Sequence, residues 1–70
     1  GLVTVLVNTP AKKIDIRIYN VLGEEMITAR EMNKNGNIKQ TFDLHDLPKG
    51  MYFIRVTDGV QSATKSVIIQ

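Results

Sequence analysis

One histidine and its neighbours are the residues best suited to chemistry in this chain. His45 lies between Asp43 and Asp46, and this Asp-x-His-Asp order offers three donor side chains to a metal ion. Zinc requires three or four ligands in a geometry that the fold sets. At the end of a strand, however, residues 43 and 45 face one way and residue 46 turns aside. We therefore interpret His45 as a solvated side chain near a turn, and we expect neither a metal site nor a cofactor.

The other catalytic patterns are weaker. A serine nucleophile at Ser62 or Ser66 would need His45 beside it and an oxyanion hole, and no nucleophile-elbow motif is present. Glu24 and Glu25 are sequence neighbours, so on a strand they face opposite ways and do not form a carboxylate pair. The five glycines stand singly, which excludes a glycine-rich phosphate loop. The sequence argues against an enzyme.

Composition and charge narrow the class of protein further. Seventy residues, 43% of them hydrophobic and none of them cysteine, predict one small domain over residues 1–70 that is stabilised by packing alone. The net charge is +2 and Lys12-Lys13 is the sole adjacent basic pair, unlike the clustered basic face of a nucleic-acid-binding domain. No apolar run approaches the roughly 18 residues that span a membrane. We expect Gly1 to be the remnant of a removed tag and the chain to be part of a longer protein.

Alternating apolar residues predict strands along most of the chain. The strongest alternation runs from Ile14 to Tyr19, with its isoleucines facing the core, and another runs from Ile38 to Leu44. The β-branched run from Leu2 to Val7 indicates a strand that is either covered on both faces or lies at a sandwich edge. Two more strands are predicted over residues 52–57 and about 60–69.

Turn signals separate these strands. Asn20-Val21-Leu22-Gly23 predicts a turn with one of its two apolar residues packed beneath it, and residues 33–37 predict a hairpin loop around Asn35-Gly36. Asp58-Gly59 predicts a second hairpin. Residues 24–32 fit a helix or a strand, and we favour a strand because short turns flank them. Turns spaced roughly eight to twelve residues apart indicate an all-β fold, an antiparallel immunoglobulin-like β-sandwich of about six or seven strands.

A corner precedes the strand over residues 52–57. Pro48 suits the second position of a turn, and Gly50 supplies the positive φ that such a turn needs at its end. We expect Leu47 to fill the core. The order Leu-Pro-x-Gly-x-Tyr is similar to the tyrosine corner of Greek-key sandwiches, in which the phenol packs inward and its hydroxyl bonds back to the corner backbone. We therefore expect Tyr52 to fix this turn.

Outward-facing residues offer two weaker candidates for function. Tyr19, Met51 and Phe53 either form an exposed apolar patch or are ordinary surface residues, and we favour the second interpretation. Arg55 and Lys65 lie on strands that are predicted to pair, and we interpret them as solvating charges.

Three blocks of sequence carry a resemblance when they are taken in order. The blocks are Ile14-x-Ile16-x-Ile18-Tyr19-Asn20-Val21-Leu22-Gly23-x-x-Met26, then Leu44-x-x-Leu47-Pro48-x-Gly50-Met51-Tyr52-x-Ile54-x-Val56, then Asp58-Gly59 followed by Lys65 and Val67-Ile68-Ile69-Gln70. Together they resemble the type A C-terminal sorting domains of the bacterial type IX (Por) secretion system. The resemblance covers residues 8–70. The stretch Val7-Asn8-Thr9-Pro10-Ala11 departs from the usual Pro-Asn-Pro-Ala opening of the family, because the first Pro is changed and Thr9 looks inserted.

The resemblance implies that this domain is a secretion signal. Such a domain ends a larger exported cargo, which crosses the periplasm and is directed through the outer membrane to the cell surface or the medium. It implies the type IX translocon and a sortase-like surface protease as partners, with cleavage at or before the first strand. We expect the last hairpin, Met51 to Gln70, to carry the recognised surface. The residues that match the sorting motif are Gly23, Leu47, Gly50, Tyr52, Lys65, Val67, Ile68 and Ile69.

An immunoglobulin- or fibronectin-like accessory module, which spaces domains or binds glycan, fits the corner and the sandwich pattern equally well. A glycan binder favours a cluster of exposed aromatic side chains, whereas the aromatic residues here are scattered. The sequence leaves open the identity of the cargo and the oligomeric state. An uncovered edge strand over Leu2 to Val7 would allow two copies to pair.

Overall fold

Six antiparallel strands in two sheets make up the fold. The computed structural model describes residues 1–33 and 35–70, and the ordered elements in these ranges are all strands. One sheet has the order β1-β4 and the other has the order β3-β2-β5-β6. The predicted all-β sandwich architecture is confirmed with six strands, while its immunoglobulin-like character stays a prediction. The strands are β1 (Leu2–Asn8), β2 (Lys13–Asn20), β3 (Glu25–Met32), β4 (Asn37–Asp43), β5 (Gly50–Thr57) and β6 (Ser62–Ile69).

The core lies between the two sheets and is centred on β2. Ile14, Ile16 and Ile18 are at most 1% exposed, as their alternation predicts. Each of these side chains stabilises the fold by about 1.5–3 kcal/mol through burial. Both neighbours of β2 contribute, since Ile16 is paired with Ala29 of β3 and Val56 of β5. The full set of buried residues is Ile14, Ile16, Ile18, Ile38, Phe42, Leu44, Tyr52 and Ile54.

Residues 24–32 form a strand, as favoured over the helix. Ile27 and Ala29 pack against the core, whereas Met26 is 39% exposed. The register shifts between Ile18 and Tyr19, so that Met26 is the additional residue on β3. As a strand, these residues pair with β2 along its length and place Ile27 and Ala29 on the core face at a spacing of two.

β1 is an edge strand of the smaller sheet. Val3, Val5 and Val7 pack against the core, but Leu2 and Leu6 on the other face are 72% and 74% exposed. Of the two predicted alternatives the sandwich edge is therefore correct, and cover on both faces is wrong. A continuous β-branched run does not distinguish a strand covered on both faces from an edge strand, because threonine and leucine occur at both buried and exposed positions.

The side chain of Asn20 organises the turn between β2 and β3. Its Oδ1 accepts hydrogen bonds from the backbone amides of Leu22 and Glu24, both at 2.9 Å. Gly23 has a φ of +83°, as the turn requires. The expectation that one apolar residue packs beneath this turn is wrong, because Val21 and Leu22 are 65% and 80% exposed. The Asn20 carboxamide occupies the inner side of the turn instead.

The connection after β3 crosses from one sheet to the other. β3 belongs to the four-stranded sheet and β4 to the two-stranded sheet, so the hairpin predicted over residues 33–37 is wrong. Lys34 of that predicted loop lies outside the described residues. Gly36 does adopt a positive φ of +89°. The chain changes sheet because the apolar face of β4 must cover the isoleucines of β2, which a hairpin beside β3 would leave exposed.

Asn33 joins this crossing to the crossing between β1 and β2. Its Nδ2 donates to the carbonyl oxygens of Thr9 at 2.6 Å and Ala11 at 2.7 Å, and its Oδ1 accepts from the amide of Gly36 at 2.8 Å. The Asn33 amide also donates to the Lys12 carbonyl at 2.8 Å. One side chain thus satisfies backbone groups of two of the three segments that pass between the sheets.

Replacing Asn33 with alanine is expected to lower the free energy of unfolding by about 2–3 kcal/mol, since it removes three bonds to partly buried backbone groups. Urea unfolding followed by circular dichroism measures the loss. Asn35→Ala is the matched control, because Asn35 accepts one exposed hydrogen bond, from the Asn37 amide at 3.2 Å. A loss of about 0.5 kcal/mol or less is expected there. Equal losses in the two variants would contradict the role of Asn33.

Candidate functional site

Tyr52 fixes the corner before β5 in the way that the sequence predicts. Its ring is buried, with the residue 4% exposed, and its hydroxyl donates to the Pro48 carbonyl at 2.5 Å. Leu47 packs against the core as expected, and its amide donates to the Leu44 carbonyl at 3.1 Å. The hydroxyl of Tyr52 therefore fixes the backbone of the corner, while its ring packs in the core.

Gly50 lies where this corner ends and β5 begins. Its φ is +147°, a conformation that side chains with a Cβ rarely adopt, although a Cβ there would meet open space. Glycine is therefore required by the backbone and not by close packing. Gly50 pairs with Ile69 of β6, so the start of β5 and the end of β6 lie side by side.

The predicted hairpin at Asp58-Gly59 is present and connects β5 to β6. The Asp58 carboxylate accepts hydrogen bonds from the amides of Val60 and Gln61, both at 2.8 Å. These amides, Gln61 first, hold the pKa of Asp58 below its usual value. β6 begins at Ser62, slightly later than predicted.

The strand register brings parts of all three sequence blocks of the resemblance to one end of the four-stranded sheet, while Asp58-Gly59 of the third block lies at the opposite end. Asn20, which carries the turn to Gly23, pairs with Tyr52, and Tyr52 pairs in turn with Val67. The Gly50–Ile69 pair lies beside this row. Six of the predicted residues are therefore placed together, although they come from three separate segments: Gly23, Leu47, Gly50, Tyr52, Val67 and Ile69.

The remaining two predicted residues of the sorting motif, Ile68 and Lys65, are exposed. Ile68 is 66% exposed and pairs with Met51, which is 43% exposed, on the outer face at the same end of the sheet. Lys65 is exposed and pairs with Ile54, further from this end. We call this end of the sheet, comprising the turn at residues 20–24, the corner at residues 47–52 and the end of β6, the motif end.

Sequence reasoning missed an arrangement on the outer face of the same sheet. Arg17 pairs with Arg55, and in the next row Tyr19 pairs with Phe53. A side-chain hydrogen bond with Tyr19, followed in size by the negative charge of Glu25, raises the pKa of Arg17. The mirrored order Arg-x-Tyr and Phe-x-Arg is the signal that could have found the pairing, provided that the antiparallel register between β2 and β5 was known.

The residues around His45 have a structural role. The Asp43 carboxylate accepts a hydrogen bond from the His45 amide at 3.0 Å, which shapes the loop after β4. Across residues 1–33 and 35–70, no group of His, Asp and Glu side chains is arranged to hold a metal ion. The same residues contain no helix that could cross a membrane.

Tyr52→Phe is expected to lower the free energy of unfolding by about 1 kcal/mol, because it removes the bond to the Pro48 carbonyl and keeps the ring. Tyr52→Ala should cost about 3–5 kcal/mol, since it also empties the core. Thermal and urea unfolding measure both. Tyr19→Phe on the outer face is the control, with little change expected. A Tyr52→Phe variant as stable as the wild type would contradict the corner bond.

The sequence model of one protein family, described as the secretion system C-terminal sorting domain, matches residues 1–70. A search of curated proteins finds no match. The family match confirms the resemblance and covers the whole chain. It brings with it the family's role, a signal at the end of a cargo protein that is exported to the cell surface or beyond. This chain therefore belongs to the C-terminal sorting domains of the type IX (Por) secretion system.

Proposed function

We propose that the domain over residues 1–70 is recognised as a folded unit by the type IX translocon, after its cargo has crossed into the periplasm. The domain itself carries no catalytic activity. A sortase-like protease at the cell surface then removes it from the cargo. The observation that carries this proposal is the motif end, where residues from three separate sequence blocks come together through strand pairing.

The motif end contains two kinds of residue. Tyr52, Val67 and Ile69 pack inward and hold the strands in register. Leu22 and Ile68 are 80% and 66% exposed at the same end. Exposed apolar side chains that gather in one region favour contact with a partner. The buried residues of the motif thus support the fold, and the exposed ones supply the contact surface.

We infer that the protease cleaves before β1. The backbone of β1 is paired with β4 along its length, and the Gly1 carbonyl accepts a hydrogen bond from the Leu44 amide at 2.9 Å. A protease binds its substrate as an extended, unpaired peptide. The bond that the protease cuts is therefore expected to precede the paired strand.

A fusion of this domain to the C-terminus of a periplasm-targeted fluorescent protein tests the proposal. Export is expected in a strain with type IX secretion and not in a translocon-deficient strain, and the mass of the released reporter locates the cleavage. Retention of an intact, folded fusion in both strains would favour the accessory-module interpretation. Deleting residues 67–70 should leave the reporter in the periplasm, and normal export of that deletion would refute a role for this terminus.

A pair of surface variants separates recognition from folding in the same assay. Ile68→Ser removes an exposed side chain at the motif end, and export is expected to fall about fivefold, as for a typical interface contact. Val60→Ser is the matched control, because Val60 is 92% exposed in the loop at the opposite end. Circular dichroism should show both variants folded. Equal export of the two variants would contradict recognition at the motif end.

A further inference from the structure

Two arginines and two aromatic residues form a compact block on the outer face of the four-stranded sheet. Arg17 lies directly opposite Arg55, and Tyr19 lies directly opposite Phe53 in the next row. We call these four residues the arginine–aromatic block. It occupies β2 and β5, the two central strands of the sheet, and no further layer covers this face in the described residues. Like charges that are directly opposite on neighbouring strands destabilise a sheet.

The charges around the block leave it cationic. Arg17 lies 3.5 Å from Glu25, and Arg30 pairs with Asp15 at 3.2 Å. Arg55 is exposed and forms no ion pair with any carboxylate among residues 1–33 and 35–70. The Nε of Arg17 is buried without a hydrogen-bond partner. The face also carries Lys13, so its six charged side chains leave a net positive charge: Lys13, Asp15, Arg17, Glu25, Arg30 and Arg55.

Apart from the contacts of Arg17 with Glu25 and Tyr19, the facing of Arg17 and Arg55 has no evident structural benefit. The core packing of β2 and β5 depends on the opposite face, where the isoleucines lie. Neutral residues at positions 17 and 55 would keep the sheet and remove the repulsion. A local arrangement that opposes stability is expected where a surface serves binding.

We propose that the arginine–aromatic block docks an acidic loop of a protein partner. One carboxylate is shared by the guanidinium groups of Arg17 and Arg55, which offer the forked donors that carboxylates prefer. An apolar side chain next to that carboxylate packs on Tyr19 and Phe53. Glu25 and Asp15 flank the block and repel a long polyanion, so a single acidic group fits better than nucleic acid.

The proposal rests on the proposed function, since it identifies the partner as a component of the export machinery. It places a second contact surface beside the motif end, because Tyr19 and Phe53 are adjacent in the register to Asn20 and Tyr52. A partner with an acidic loop and an apolar contact would then bind the motif end and the arginine–aromatic block at the same time.

The double variant Arg17→Gln/Arg55→Gln tests the docking in the export assay. Export is expected to fall about tenfold or more, while the melting temperature stays unchanged or rises slightly because the like-charge pair is gone. Lys12→Gln/Lys39→Gln is the matched control, which removes the same charge from exposed lysines elsewhere. Normal export of the arginine variant would overturn the proposal, as would an equal loss in the control.

A binding measurement tests the block independently of export. The probe is a capped peptide of alternating leucine and glutamate, titrated into the isotopically labelled domain and followed by nuclear magnetic resonance. Shifts are expected at the side-chain NH groups of Arg17 and Arg55, and they should vanish at about 1 M salt, where screening acts within about 3 Å. Absent shifts, shifts on another face, or stronger shifts with a short DNA duplex would overturn the proposal.

The export assay and the peptide titration together distinguish failure of the proposed function from failure of the docking surface. If the wild-type domain fails to direct export in the competent strain while the peptide binds at the block, the proposed function fails and the docking surface stands. If the wild-type domain directs export and the arginine variant does so equally well, the docking surface fails and the proposed function stands.

Discussion

Burial of the isoleucine row of β2 between two sheets is the constraint on which the rest of the structure depends. The chain has no disulfide and the described residues form no helix, so about 1.5–3 kcal/mol from each buried isoleucine is a large share of its stability. This burial makes β2 a central strand, paired with β3 and β5. The chain changes sheet three times, before β2, after β3 and before β5, and Asn33 joins the first two of these crossings.

The pairing of β2 with β5 connects this core to the motif end. The Asn20–Tyr52 pair brings the first two sequence blocks together, and the Gly50–Ile69 pair adds the chain's last strand. Since the strand period is two, a shift of one residue would turn Tyr52 outward and separate these partners. The proposed contact surface therefore exists only when the sheet is paired in the correct register. The same pairing sets Arg17 against Arg55 on the solvent side.

Local features of this domain could be predicted from its sequence, and long-range ones could not. The alternation of Ile14, Ile16 and Ile18, the corner at Tyr52 and the hairpin at Asp58-Gly59 depend on residues close together in the chain, and all are present. Asn35-Gly36 misled the prediction because a turn signal specifies local φ and not the sheet that the next strand joins. The motif end follows from pairing between distant strands, which a single sequence does not reveal.

We propose that the export machinery recognises this domain in its folded state. Ile16→Asp places a charge at a position that is 0% exposed, so it should unfold the domain while keeping every motif residue. The direct measurement is the amount of intact reporter that this variant delivers to the medium, beside an exposed Asn37→Asp control. We expect the Ile16→Asp fusion to stay in the periplasm and the control to be exported. Export of the unfolded variant at the wild-type level would show that a linear sequence carries the signal.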